Sequence, residues 1–435
     1  MKIPASTSRL ALVLSLLVAG SCAGPEGADD GGDEAALLER ARGIHERVIT
    51  LDTHVDISPA NFTAERNYTA DLPGTQVDLP SMEEGGLDVA WLVVYVGQGE
   101  LTEEGYARAH QQALEKFAAI HRLAEEIAPD RIGLATTSDE VREIVASGRK
   151  VAMIGIENAY QVGTDLSNIE LFHDLGGRYM SLSHNGHSQF SDSNTGERDG
   201  EWLHGGLSDL GRQAVAEMNR LGMMIDISHP SKAASMEIFE LSRAPVIASH
   251  SASRAMYDHS RNLDDEQLRA LQANGGVVQT VAFRGYVDGD KEDARDAAVE
   301  AIEDRIAQET GFEPLGRGEV RDLPEAEREA YRQELDAFQA RVDQAVEAEG
   351  DAIPEGVDVA DFVDHIDYIV DLVGIDHVGI SPDFDGGGGV EGWDDASETF
   401  NVTLELVRRG YTEEEIAQLW SGNLLRVLDE VQAVA

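Results

Sequence analysis

The chain reads as an α/β protein: a (β/α)8 barrel of TIM type, with an acidic helical insertion between its seventh and eighth strands. Three observations predict this. Eight short apolar runs recur along the 435 residues, and amphipathic stretches of helical period separate them. The runs are mostly continuous rather than alternating in polarity, as in a parallel sheet covered on both faces. Parallel strands that alternate with helices in this number close most simply into a barrel. A doubly wound open sheet is the runner-up, but no Gly-rich dinucleotide turn follows the first strand.

The N-terminus comes first. Lys2 and Arg9 precede the apolar run 10–18, and Ala19-Gly20-Ser21 lead to Cys22. Residues 1–22 read as a signal peptide whose apolar run is too short for a permanent membrane span. Its small-small-small-Cys ending resembles a bacterial lipoprotein signal, which implies lipidation of Cys22 and a protein anchored in the cell envelope, facing the periplasm or the exterior. The alternative is an ordinary secretory signal cut nearby. Cys22 is the single cysteine, so no intramolecular disulfide can form. Residues 23–35, polar, acidic and Gly-rich, read as a flexible tether. Residues 36–435 are expected to form the barrel domain.

Within it the strands are expected at 48–55, 87–96, 151–156, 179–183, 223–227, 246–249, 277–282 and 378–381. Helical patterns fall at 103–127, 138–146, 207–221, 231–241, 264–273 and 359–373. Ser138, Ser208 and Asp264 are candidate caps, and Gly148, Gly222 and Gly374 candidate ends. Residues 288–358 break the rhythm with 23 acidic and 8 basic residues and few large apolar ones. They read as a solvated, helical insertion.

Charge excludes some partners. Lys and Arg number 34 against 82 Asp and Glu, a formal net charge of −48, and no basic stripe exists to neutralise phosphates. Nucleic acid and polybasic membrane contacts are therefore excluded. Hydrophobic residues make up 42% of the chain, enough for a substantial core. Only five residues are lysines: Lys2, Lys116, Lys150, Lys232 and Lys291. An acidic, Lys-poor surface suits a salty medium, where screening shortens the range of self-repulsion.

Barrels place their active sites at the C-terminal ends of the strands. Six of the eight predicted strands end there in His, Asp or Glu. The first ends His54-Val55-Asp56, two side chains on one strand face. The third ends in Glu157, the fourth in Ser183-His184, and the fifth in Asp226-Ile227-Ser228-His229. The sixth ends Ser249-His250-Ser251 and the eighth Asp383-Phe384-Asp385-Gly386. Any one of these could be a hydrogen-bonded structural residue or a helix cap. Together they would be costly to bury unless a metal compensated their charge. Imidazole and carboxylate in one place suit zinc.

These motifs, in this order, resemble the membrane dipeptidase (renal dipeptidase) family of binuclear-metal amidohydrolases. The likeness runs from about Arg42 to Val431 and includes the final helix around Asn423. It implies two zinc ions, one held by His54 and Asp56, the other by His229 and His250, with Glu157 bridging. It further implies that His184 binds and polarises the scissile carbonyl, that Arg261 takes the substrate's terminal carboxylate, and that Asp383 shuttles a proton to the leaving amine. A surface ion pair is the alternative for Arg261, and Asp385 competes with Asp383. His187, His259 and His377 read as structural or as neighbours that support the site residues. Phe283 stands where the mammalian members have tyrosine, and the insertion is longer than theirs.

The expected activity is thus zinc-dependent hydrolysis of dipeptides through a metal-bridging hydroxide, with a small-molecule substrate as the partner. Any homodimer would form without a disulfide. The same site would serve N-acyl amino acids, D-amino-acid dipeptides or β-lactams. Two readings from other classes remain: an inactive envelope solute-binding lipoprotein, and an insertion that docks a partner.

Overall fold

Nine parallel strands build one curved sheet in the computed structural model, which describes residues 30–316, 319–320 and 323–435. They are β1 (Leu51–Asp56), β2 (Val89–Tyr95), β3 (Ile132–Leu134), β4 (Lys150–Glu157), β5 (Gly177–Ser181), β6 (Met224–Asp226), β7 (Ile247–Ala248), β8 (Val277–Val281) and β9 (Val378–Ser381). The hydrogen-bonded order β1-β2-β4-β5-β6-β7-β8-β9 is that of a (β/α)8 barrel. Closure is by a short parallel bridge between Val55 and Phe384, where the Asp56 N–H donates to the Phe384 carbonyl at 3.0 Å. The barrel and its strand count match the expectation.

β3 is the extra strand. It pairs with Lys150, Val151 and Ala152 of β4, on the edge that β5 reaches only from Ile154 onward. Three residues with a central glycine give too short an apolar run to read as a strand. The first strand begins at Leu51 rather than at residue 48, because the Val48 N–H completes the turn after the preceding helix by donating to Ile44.

Strand residues fill the core from both faces, as their unbroken apolarity requires. Leu51, Val89, Trp91, Val93, Val151, Met153 and Val277 join one buried cluster. Val55, Leu92, Val94, Ile154 and Ile156 join the other. Helix caps follow local chemistry. Ser208 and Asp264 cap as expected, but Thr137 rather than Ser138 caps the helix Ser138–Ala146, because the Thr137 hydroxyl reaches the Glu140 N–H.

The insertion between β8 and β9 is helical: Gly289–Thr310 and Glu325–Glu349. Its few apolar residues, Ile302, Ile306, Phe338, Val342 and Ile353, form a small core of their own. These apolar side chains are therefore spent within the insertion itself. Lys291 pairs with Asp361, and Arg295 with Glu391 and the Pro354 carbonyl, fixing its base to the barrel.

A helix, Asp30–His45, precedes β1 and begins inside the segment read as a tether. Good helix formers from Ala35 to Leu38 extend it backward. Residues 1–22, with Cys22, and the start of the tether lie outside the described residues. Among the described residues no helix is long and apolar enough to cross a membrane.

Candidate metal centre

The C-terminal ends of the strands and the loops after them bring the predicted metal, catalytic and substrate-binding residues to one mouth, while Cys22 lies outside the described residues. On β1, the pairing with β2 shifts register between Asp52 and Val55, and His54 lies in that irregular stretch. Its Nδ1 is 3.1 Å from the Tyr179 hydroxyl of β5, which donates to the Thr53 carbonyl at 3.0 Å. One hydroxyl proton serves one acceptor, so this oxygen must accept Nδ1–H of His54. A Cβ at residue 155 would collide with the Tyr179 ring, so Gly155 is what lets the tyrosine reach across. The remaining nitrogen, His54 Nε2, is buried without a hydrogen-bond partner. It faces Glu157 at 3.6 Å, Asp56 at 3.9 Å and Asp383 at 4.0 Å. Burial alone disfavours a charged His54, but Glu157, Asp383 and Asp56 raise its pKa to about 10. The pocket therefore favours a positive charge at this atom, whether a proton or a metal ion.

Glu157, at the end of β4, is the hub. Its Oε1 lies 2.9 Å from His229 Nε2, 3.4 Å from His250 Nε2 and 3.8 Å from His184 Nε2, while Oε2 faces His54. Burial would raise this carboxyl's pKa, but His184, His54 and His229 hold it well below the ordinary range.

His229 and His250 follow β6 and β7. Asp226, fully buried at the end of β6, accepts from the hydroxyls of Ser249 at 2.7 Å and Ser228 at 2.8 Å, and from both their backbone N–H groups. With its proton given to Asp226, Ser249 accepts from His250 Nδ1 at 2.8 Å. His250 Nε2 is left for the centre. Burial lowers the pKa of both histidines well below the usual value, which keeps them neutral, the ligand form.

Asp383 sits just past β9 in a left-handed conformation, φ 58°, uncommon for a non-glycine residue and typical of functional turns. Gly386 makes the turn fit, since a Cβ there would collide with the carboxylates of Asp383 and Asp56. Burial raises Asp383 to about 8, with His54 pulling down and Asp56 and Glu157 pushing up. Burial, with Glu157 nearby, also raises Asp56, to about 6. Asp385 is committed elsewhere. Its side chain accepts the Gln76 N–H at 2.8 Å and its own N–H donates to the Gln76 side chain at 2.7 Å. Of the two aspartates, Asp383 is the one that faces His54, at 4.0 Å from its Nε2.

Arg261 is only 3% exposed and pairs with no carboxylate among the described residues, which removes the surface ion-pair alternative. Its Nη1 donates to the Ser228 carbonyl and its Nη2 to that of His250 at 3.0 Å. Its Nε–H is buried and unpartnered, and the guanidinium lies 5.5 Å over the Tyr286 ring. An open cleft of about 780 Å³ adjoins it, lined by Asn194, His259, Ser260 and Tyr286 among others.

Three overlapping groups could hold cations: His54 with Glu157 and His250, Glu157 with His184 and His229, and His54 with Asp56 and Asp383. Ligand atoms within each lie within 4.8 Å of one another. The orphaned His54 Nε2, the neutral imidazoles and the surrounding carboxylates fit a divalent metal of zinc type. His377 bonds to the Gly276 carbonyl, His187 lies beside Asp192, and His259 lines the cleft beside Arg261. Sequence reasoning missed Tyr95, Tyr179 and Tyr286. Tyr95 and Tyr179 could have been found by asking which strand residues stand beside a predicted ligand.

Residues 38–435 match the family model described as membrane dipeptidase, peptidase family M19. The chain belongs to the membrane dipeptidase family. It is a metallopeptidase of dipeptidase type, built on the barrel of that family. Among its relatives, the dipeptidase aclJ of Aspergillus oryzae is 30% identical over 83% of this chain and 71% of its own length. The dipeptidase tcpJ of Claviceps purpurea is 28% identical over 84% and 72%. A solved structure, the probable dipeptidase PvdM from Pseudomonas aeruginosa, superposes with a TM-score of 0.74 at 32% identity. It covers 92% of this chain and 100% of its own. A membrane dipeptidase implies a metal and a small-molecule substrate.

Proposed function

We propose that the chain is a zinc-dependent dipeptidase with a two-metal site, anchored through Cys22 outside the bacterial cytoplasm. The observation that carries the two-metal reading is the position of Glu157, one oxygen toward His229 and His250 and the other toward His54. His54 and Asp56 would hold one ion and His229 and His250 the other, with Glu157 common to both. When bound, two such ions supply an activated water and polarise the scissile carbonyl.

The chain's own residues do the rest. Arg261, which lines the open cleft, would take the substrate's terminal carboxylate and so fix the C-terminal half of the dipeptide. His184 turns Nε2 toward the same space and would donate to the carbonyl oxygen as charge builds there. Asp383, buried beside His54, would take up the proton that the attacking water releases and give it to the departing amine. Asp226 and Ser249 orient His250, and Tyr179 orients His54, so each presents Nε2 inward.

The test is a panel of L,L- and L,D-dipeptides and N-acyl amino acids, assayed before and after chelation and after zinc is restored. Dipeptides should be hydrolysed, and the activity should vanish with chelator and return with zinc. Turnover that survives complete metal removal would overturn the reading.

A further inference from the structure

Tyr95 ends β2, in register with Glu157 of β4, and its hydroxyl lies 3.3 Å from Nδ1 of His184. We propose that Tyr95 is the positioning residue that holds His184 with its proton on Nε2, the atom turned toward the substrate carbonyl. The inference rests on the dipeptidase reading of His184.

A neutral imidazole carries one ring proton, and the partner of one nitrogen decides which nitrogen keeps it. The Tyr95 hydroxyl has no other hydrogen-bond partner among the described residues, so Nδ1 is the acceptor open to its proton. A phenol keeps its proton at neutral pH, so Tyr95 has one to donate. Lys116, on the helix Glu103–Arg122, sets its ammonium 5.7 Å from the centre of the Tyr95 ring. A cation there draws density from the phenol and strengthens its O–H as a donor.

The consequence lies at the other nitrogen. With Nδ1 accepting, Nε2 carries the hydrogen. Its nearest carboxylate, Glu157 Oε1, is 3.8 Å away, too far for a hydrogen bond. That N–H is uncommitted and available to a carbonyl oxygen. The opposite tautomer would present a lone pair to the same oxygen and repel it. β2 is one of the two barrel strands whose end supplies no His, Asp or Glu, and this role gives that end a purpose.

The test uses full-length protein, zinc-free and zinc-loaded, carrying 15N-labelled histidine. Nitrogen NMR reads the His184 tautomer directly, with the signal assigned by its loss in His184→Ala. Wild type should show protonated Nε2 and bare Nδ1, and Tyr95→Phe should bring in the Nδ1–H tautomer. In parallel, Tyr95→Phe should lower kcat on the order of 10-fold, with KM and zinc content little changed. In the His184→Ala background the same substitution should change nothing further. Protonated Nδ1 in the wild type would overturn the proposal, as would equal losses in both backgrounds. If wild type hydrolyses no dipeptide, the dipeptidase reading fails, and the NMR arm still judges Tyr95.

Discussion

His229 and His250 turn their Nε2 atoms toward each other at 3.1 Å. Glu157 Oε1 is within 3.4 Å of both. Because Ser249 takes the other hydrogen of His250, its Nε2 presents a lone pair to this meeting point. Two buried imidazoles and a carboxylate crowded in this way are costly as neutral protein but favourable around a cation. The relationship ties fold to function. β6 and β7 are only three and two residues long, yet they end at the same height and deliver the two rings together.

Arg261 serves two sides, and its substitution should show both. Arg261→Ala removes a charge-assisted contact worth about 2–4 kcal/mol, so kcat/KM for free dipeptides should fall on the order of 10²–10³. The lost bonds to the Ser228 and His250 carbonyls should also loosen the neighbouring histidines, a smaller loss shared by a dipeptide amide. Steady-state kinetics on acid and amide separate the two. Equal losses on both substrates would take the carboxylate away from Arg261.

The net charge of −48 predicts a salt response. Raising ionic strength from about 0.1 to 1 M shortens the Debye length from about 10 to 3 Å and screens self-repulsion. The Tm, followed by circular dichroism, should rise by about 5 °C or more across that range. A flat or falling Tm would show that surface repulsion is not what limits stability.

His365, on the helix Val359–Val373, makes stability depend on acid. It is 2% exposed, its Nδ1 accepts the Ser253 N–H at 3.1 Å, and its Nε2–H donates to the Val287 carbonyl at 2.9 Å. Burial lowers its pKa against the raising effect of the Val287 bond. The unfolded chain therefore binds a proton near pH 6.5 that the folded chain refuses. This contribution to stability is whole above that pH and is lost as pH falls below it. In urea titrations His365→Gln should be less stable at neutral pH by about 1–3 kcal/mol. Its stability should also fall less steeply on acidification. Parallel slopes would contradict the assignment.

Cys22→Ser should release the protein from the membrane fraction into the soluble one, because a single lipid chain or more on this residue is the proposed anchor. Fractionation and immunoblotting read the result. Membrane association unchanged by the substitution would contradict the lipoprotein reading.

The order of residues along the chain carries much of this architecture. Continuous apolar runs mark the parallel strands, and the polar residue after each run marks the mouth of the barrel. His54, Glu157, His229 and His250 are readable because buried charge at strand ends is expensive without a reason. What escapes such a reading is set by contacts between distant segments. β3 is too short to leave a pattern and exists because β5 leaves part of the β4 edge free. Tyr179 looks like core in the sequence, and only the gap at Gly155 turns it into the support of His54. The choice between Asp383 and Asp385 needs Gln76, more than 300 residues away, which occupies one of them. The start of the first helix at Asp30 is obscured by a glycine-rich, acidic composition that local helix formers override.

The central claim is that Glu157 joins two zinc ions in one active centre. The most direct measurement is zinc stoichiometry by elemental analysis, on wild type and Glu157→Gln, alongside dipeptide turnover. The account predicts two zinc ions per chain and turnover in the wild type, and loss of metal with no detectable turnover in the variant. A variant that keeps both ions and full activity would contradict it.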